Sequence, residues 1–294
     1  MKNPNFIGTG VAVITPFTES QAIDEKSLEQ ILNHLIFGGV EYLVMLGTTG
    51  ESVTLSKSEK QQVIDIAKET IDGRVPMVLG IGGNNTAELL ETIKHTDFEG
   101  ISAVLSVSPY YNKPTQEGIY HHYIAIADAC PVPVILYNVP GRTGSNISAE
   151  TTIRLATHSN IIGIKEASGN FEQCMRIIKD KPEDFLVISG DDAIALPSVS
   201  VGMDGVISVI ANAYPKQFSE MIRLALRGNY EDARKLHYDL LNITQLIYTE
   251  GSPGGVKALM DIKGLCRNIV RLPLYKVSEQ LYKKLKEMAS QPGE

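Results

Sequence analysis

A chain of 294 residues with 43% hydrophobic and 21% charged side chains can bury a large core, which excludes a disordered or fibrous protein. The net charge of −7, the pI near 5.5 and the lack of any basic run exclude a nucleic-acid-binding surface as the main function. Cys130, Cys174 and Cys266 are far apart and form no CxxC pair, so neither a disulfide framework nor a zinc site is indicated.

The chain opens with MKNPNFIGTGVAVITPF, whose apolar run is short and broken by Gly8, Gly10 and Pro16, unlike a signal-peptide core. No apolar stretch is long enough to span a bilayer. Together these features predict a soluble, cytoplasmic protein with no membrane and no nucleic-acid partner.

Apolar, β-branched runs then recur along the chain: GVAVI (10–14), YLVMLG (42–47), PMVLGIG (76–82), AVLSVS (103–108), PVILYNV (133–139), IIGIKEA (161–167), FLVISG (185–190) and GVISVIA (205–211). Segments with helical periodicity lie between them, among them 27–37, 58–71, 86–95 and 215–226, often opened by Ser, Asp or Thr. Strands apolar on both faces that alternate with helices predict a parallel sheet covered on both sides. Eight regularly spaced units, without a complete GxGxxG turn, favour a closed (β/α)8 TIM barrel over an open doubly wound sheet. GIGGNN (80–85) comes nearest to a dinucleotide fingerprint but lacks its third glycine. Further helices are predicted near 230–248, 254–263 and 278–289, with breaks at Asn229, Gly251, Ser252, Pro253 and Pro273. The division is therefore a catalytic barrel over 1–228 and a C-terminal helical extension over 229–294, packed on the barrel.

In such a barrel the active site lies where the strands end at their C-terminal side. The polar endings here are GTTGES, SPYYNKP, YNVPGRTG, KEASG and SGDD. Lys165 interrupts an otherwise apolar strand, and strand alternation puts it on one face with Gly163 and Ala167 while Ile162 and Ile164 face the helices. Position alone leaves two readings. Lys165 is either a structural lysine paired with Glu166, Asp191 or Asp192, or a desolvated amine with a lowered pKa that attacks a carbonyl.

Tyr137, near the end of the adjacent strand about 4.8 Å away, is within reach of that amine as a proton carrier, or is simply a core tyrosine. Arg142 in the GRTG loop offers a fork for a carboxylate, and Thr48 and Thr49 offer hydroxyls and amides. His121 and His122 point in different directions on a helix, and Asp191 with Asp192 lacks a third ligand, so no metal site is read.

GTTGES, PYYNKP, LYNVPGRTG, GIKEASG and SGDD, in this order between Ile7 and Leu285, resemble the pyruvate-dependent class I aldolases, the N-acetylneuraminate lyase superfamily. Within it, GRTG and the double tyrosine resemble the dihydrodipicolinate synthase branch. The resemblance implies a Schiff base between Lys165 and pyruvate, with Tyr137, Thr49 and Tyr111 as a proton relay and Tyr111 supplied by a neighbouring subunit. It gives Thr48 to the carboxylate of pyruvate, Arg142 to that of L-aspartate 4-semialdehyde, and Gly190 and Ile207 to the pocket lining. It further implies no metal or organic cofactor and a homotetramer built as a dimer of dimers. Ser52, Asn84, Glu88 and Tyr110 match an L-lysine effector pocket, but Lys57 and Lys60 place positive charge near a cationic effector, which predicts weak or absent inhibition. The alternatives are a related sugar-acid or N-acetylneuraminate aldolase, or a barrel that binds a keto acid without turning it over.

Overall fold

In the computed structural model, which describes residues 2–290, eight parallel strands close into a barrel in chain order. They are β1 (Gly8–Ala12), β2 (Tyr42–Met45), β3 (Met77–Gly80), β4 (Ala103–Val107), β5 (Val134–Asn138), β6 (Ile161–Glu166), β7 (Leu186–Ser189) and β8 (Gly205–Ser208). Between and after them run α1 (Glu25–Phe37), α2 (Lys57–Ile71), α3 (Thr86–His95), α4 (Gln116–Ala129), the single turn α5 (Pro140–Thr143), α6 (Ala149–Leu155), α7 (Phe171–Asp180), α8 (Ala195–Ser200) and α9 (Pro215–Leu226). The C-terminal helices are α10 (Tyr230–Tyr248), α11 (Gly254–Ile262) and α12 (Glu279–Ala289).

Local chemistry sets many of these boundaries. Asp24, Thr115, Ser148, Asn170, Asn229 and Ser278 each accept a backbone N–H of the helix that follows, and Ser56 with Glu59 forms a reciprocal capping box. The apolar runs and the strands differ at their ends. β1 starts at Gly8, earlier than the run suggests, because Gly8, Thr9 and Gly10 pair with Gly205, Val206 and Ile207 to close the barrel. β8 stops at Ser208, where the remaining apolar residues turn into a short 3-10 helix, Ile210–Asn212.

Two apolar layers result, as strand alternation requires. Val11, Leu43, Leu79, Val104, Leu136, Ile164, Val187 and Val206 pack outward against the helices. Ala12, Tyr42, Val44, Val78, Leu105, Ile135, Tyr137, Ile188 and Ile207 fill the barrel. One expectation fails on β6. Val134 pairs with Ile161 but Ile135 pairs with Gly163, so the strand bulges at Ile162, which packs with the interior cluster rather than against the helices. A Cβ on Gly163 would lie 2.8 Å from Cβ and the carbonyl oxygen of Leu186, so this glycine serves close packing between strands.

The C-terminal helices pack on the barrel rim and reach into its loops. Tyr248 donates to Asp192 at 2.9 Å, Lys257 pairs with Glu51, and Arg271 binds Glu59. Residues 291–294 of the predicted extension lie outside the described residues. No helix among the described residues is long and apolar enough to cross a membrane.

Candidate active site

Lys165 projects into the barrel mouth, only 5% exposed, between its register partners Tyr137 on β5 and Ile188 on β7. Its Nζ lies 4.5 Å from the centroid of the Tyr137 ring. The acids that might have paired with it are engaged elsewhere. Glu166 faces away from the mouth, as its place next to Lys165 on the strand requires, and accepts from Asn138, Gln173 and the amide of Ser168. Asp191 caps the amide of Ala193 at 3.0 Å. Asp192 accepts from the amides of Val209 and Ile210 and from the hydroxyl of Tyr248. The ion-paired reading of Lys165 is therefore not the one realised.

Desolvation is the main cause that lowers the Lys165 pKa to about 8; the charge of Asp192 opposes the fall and that of Arg142 deepens it. A neutral, nucleophilic amine is thus accessible near neutral pH. Burial raises the pKa of Tyr137, with Arg142 and the hydroxyl of Thr48 offsetting part of the rise. The two groups are tuned in opposite directions, amine down and phenol up. That leaves the phenol protonated and able to donate where the amine is free to attack.

The rim residues come from loops that the fold fixes tightly. Gly50 donates to the carbonyl of Gly47, Glu51 donates to that of Thr48, and Thr15 holds the carbonyl of Gly50 at 2.7 Å. In this turn Thr48 is exposed and its hydroxyl offsets part of the rise in the Tyr137 pKa, whereas Thr49 is buried at 7% exposure. Adjacent residues of a tight turn point in different directions, so the two threonines differ in exposure. Arg142 sits on α5, exposed, close enough for its charge to act on both Lys165 and Tyr137. The loop that follows is anchored by Asn138, whose Oδ1 accepts from the amide of Ile147 at 3.0 Å.

Gly190 borders Lys165 directly. A Cβ there would lie 2.9 Å from Cε of Lys165 and 2.6 Å from Cβ of Ala167, so the space kept open beside the amine belongs to Gly190. Ile207 is buried in the barrel interior on β8. Tyr111 is different from the rest. It is 87% exposed and holds a left-handed backbone with φ of 72°, a rare conformation for an aromatic residue. Within one chain it does not close over the pocket.

The four residues that match an effector-pocket pattern lie on the neighbouring loops and short helical turns and at the start of α3. Asn84 donates to the carbonyl of Tyr110 at 3.2 Å, and Asn112 donates back to the carbonyl of Asn84 at 2.9 Å. Glu88 is exposed in the first turn of α3, and Ser52 opens a short 3-10 helix. Lys57 and Lys60 both lie at the start of α2. Tyr248 and Lys257 were not foreseen as parts of the rim. SGDD and GTTGES did mark Asp192 and Glu51, but nothing in the sequence names partners so distant.

The Dihydrodipicolinate synthetase family matches residues 5–292. The 4-hydroxy-tetrahydrodipicolinate synthase of Flavobacterium psychrophilum is 56% identical over 281 residues, covering 95% of this chain and 96% of that one. That of Cytophaga hutchinsonii is 50% identical, covering 96% and 95%. Among solved structures, a chloride-inhibited dihydrodipicolinate synthase from Acinetobacter baumannii complexed with pyruvate superposes with a TM-score of 0.93 at 40% identity, covering 96% of this chain and 97% of that one. The enzyme from Cyanidioschyzon merolae with lysine bound superposes equally well, TM-score 0.93 at 37% identity, with 97% of each chain covered. On the match along nearly its whole length, the chain belongs to the dihydrodipicolinate synthetase family.

Proposed function

We propose that this protein condenses pyruvate with L-aspartate 4-semialdehyde to 4-hydroxy-tetrahydrodipicolinate, a lyase-class step in the diaminopimelate route to L-lysine. The observation that carries the reading is the buried Lys165 amine, free of any acid partner among the described residues and set 4.5 Å from the ring of Tyr137. The Nζ lone pair attacks C2 of pyruvate, water leaves, and the protonated imine acts as electron sink for loss of a C3 proton. The resulting enamine carbon attacks the aldehyde carbon, and the new alkoxide takes a proton from the relay. The amine of the second substrate then displaces Lys165 by transimination and closes the ring.

In this scheme Tyr137 moves the protons, with Thr48 as its hydroxyl partner and Tyr111 supplied from a second subunit. The turn carrying Thr48 and Thr49 receives the carboxylate of pyruvate, Gly190 and Ile207 bound the pocket, and Arg142 binds the carboxylate of the semialdehyde bidentately. The exposed, strained Tyr111 supports an assembly of at least two subunits, read as a dimer within a tetramer. Residues 1–228 form the catalytic barrel and those from 229 on the helical extension. Ser52, Asn84, Glu88 and Tyr110 form the effector pocket, with L-lysine bound weakly because Lys57 and Lys60 repel it.

The test is borohydride reduction in the presence of pyruvate, followed by peptide mass mapping. A pyruvyl adduct on Lys165 is expected; an adduct elsewhere, or none, would overturn the reading. Turnover of aspartate semialdehyde, measured against N-acetylneuraminate and 2-keto-3-deoxy sugar acids, decides the second substrate.

A further inference from the structure

Glu51 and Lys257 are both buried beneath the rim, at 1% and 0% exposure, and form an ion pair that joins α11 to the β2–α2 loop. Neither belongs to the chemistry described above. Lys257 also donates to the carbonyl of Ile269 at 2.9 Å and lies 4.1 Å from the centroid of Phe17. The second carboxylate oxygen of Glu51 accepts from the amide of Arg271 at 2.9 Å. A wholly buried ion pair is weak evidence for stability, since the desolvation of two charges offsets most of their attraction. A geometric role fits better.

The backbone of Glu51 supplies that role. It holds φ of 53°, in the left-handed region, directly after the turn that carries Thr48, and its amide donates to the carbonyl of Thr48 at 3.1 Å. Thr54 binds the carbonyl of Glu51 through its amide at 2.9 Å and through its hydroxyl at 3.0 Å. An uncommon conformation of this kind persists only where its surroundings over-determine it.

We propose that Lys257 and Glu51 are positioning residues for the reaction. Through the strained backbone at Glu51, the C-terminal extension fixes the turn from which Thr48 serves as the hydroxyl partner of Tyr137 in the proposed relay. The inference rests on the Schiff-base reading above. It predicts that loosening the pair impairs proton transfer while leaving capture of pyruvate by Lys165 in place.

Two variants test it. Lys257→Met with Glu51→Gln removes both buried charges and keeps an acceptor for Arg271. Glu51→Asp keeps the charge but shortens the side chain, and aspartate tolerates the left-handed backbone. In either variant that retains a wild-type circular dichroism spectrum, borohydride with pyruvate should still label Lys165, kcat should fall about 10-fold or more, as for loss of a proton-transfer partner, and the alkaline limb of the rate profile should move as Tyr137 loses its hydroxyl partner. A folded variant with kcat, KM for pyruvate and pH profile all within twofold of wild type would overturn the inference. Failure of the unmodified chain to label at Lys165 would instead overturn the Schiff-base reading.

Discussion

Lys165 and Tyr137 are direct register partners across β5 and β6, and the pairing brings the lysine Nζ to 4.5 Å from the phenol ring centroid. Because both side chains point into the barrel, one desolvated environment acts on both, lowering the amine pKa and raising that of the phenol.

That environment disfavours the charged lysine, so Lys165→Met should stabilise the fold while abolishing adduct formation. Between pH 8 and the unfolded value of 10.5 the unfolded chain binds the proton and the folded chain does not, so native stability rises with pH there. Below pH 8 the penalty is present in full, up to about 3 kcal/mol for a shift of this size. Melting curves should show the variant more stable than wild type at pH 7, with the gap closing towards pH 10.5.

Tyr137→Phe should lower kcat by roughly 100-fold or more, the usual contribution of a positioned acid–base group, while the adduct still forms slowly. Of the two threonines, Thr48→Val should reproduce part of this loss and Thr49→Val should leave the rate profile at high pH in place. Steady-state assays across pH distinguish the two.

Gly190→Ala and Gly163→Ala should fail in different ways. The added methyl at Gly190 meets Lys165 and Ala167, so trapping of pyruvate should fall about 10-fold, a cost near that of overpacking a rigid site. At Gly163 it meets the backbone of Leu186, so the melting temperature should drop instead. Adduct yield and calorimetry on both variants check the contrast.

Arg142→Ala should raise KM for the semialdehyde by about 10-fold or more, and Arg142→Lys should restore little, because a point charge cannot replace the guanidinium fork. Loss of its charge should also raise the Lys165 pKa, moving the acid limb of adduct formation to higher pH.

If Tyr111 acts across subunits, Tyr111→Phe protomers mixed with Lys165→Ala protomers should recover activity that neither has alone. Reassembled mixtures assayed against each parent give the answer, and no recovery would place Tyr111 in its own pocket.

Strand order, the barrel and the positions of Lys165 and Tyr137 were legible in the sequence because they depend on local periodicity: apolar runs define strands, and alternation puts both residues inside the barrel. The cap residues and the helical C-terminal segment were legible for the same reason. Tertiary structure decided what alternation cannot reach. It set the bulge at Ile162, buried Thr49 while leaving Thr48 exposed, and assigned the space beside Lys165 to Gly190. It also turned Glu166 away from the lysine, engaged Asp192 with Val209, Ile210 and Tyr248, and joined Glu51 to Lys257 across a sequence separation of 206 residues. Each of these depends on which distant group occupies a given volume, and only the closed barrel with its packed C-terminal helices defines that volume.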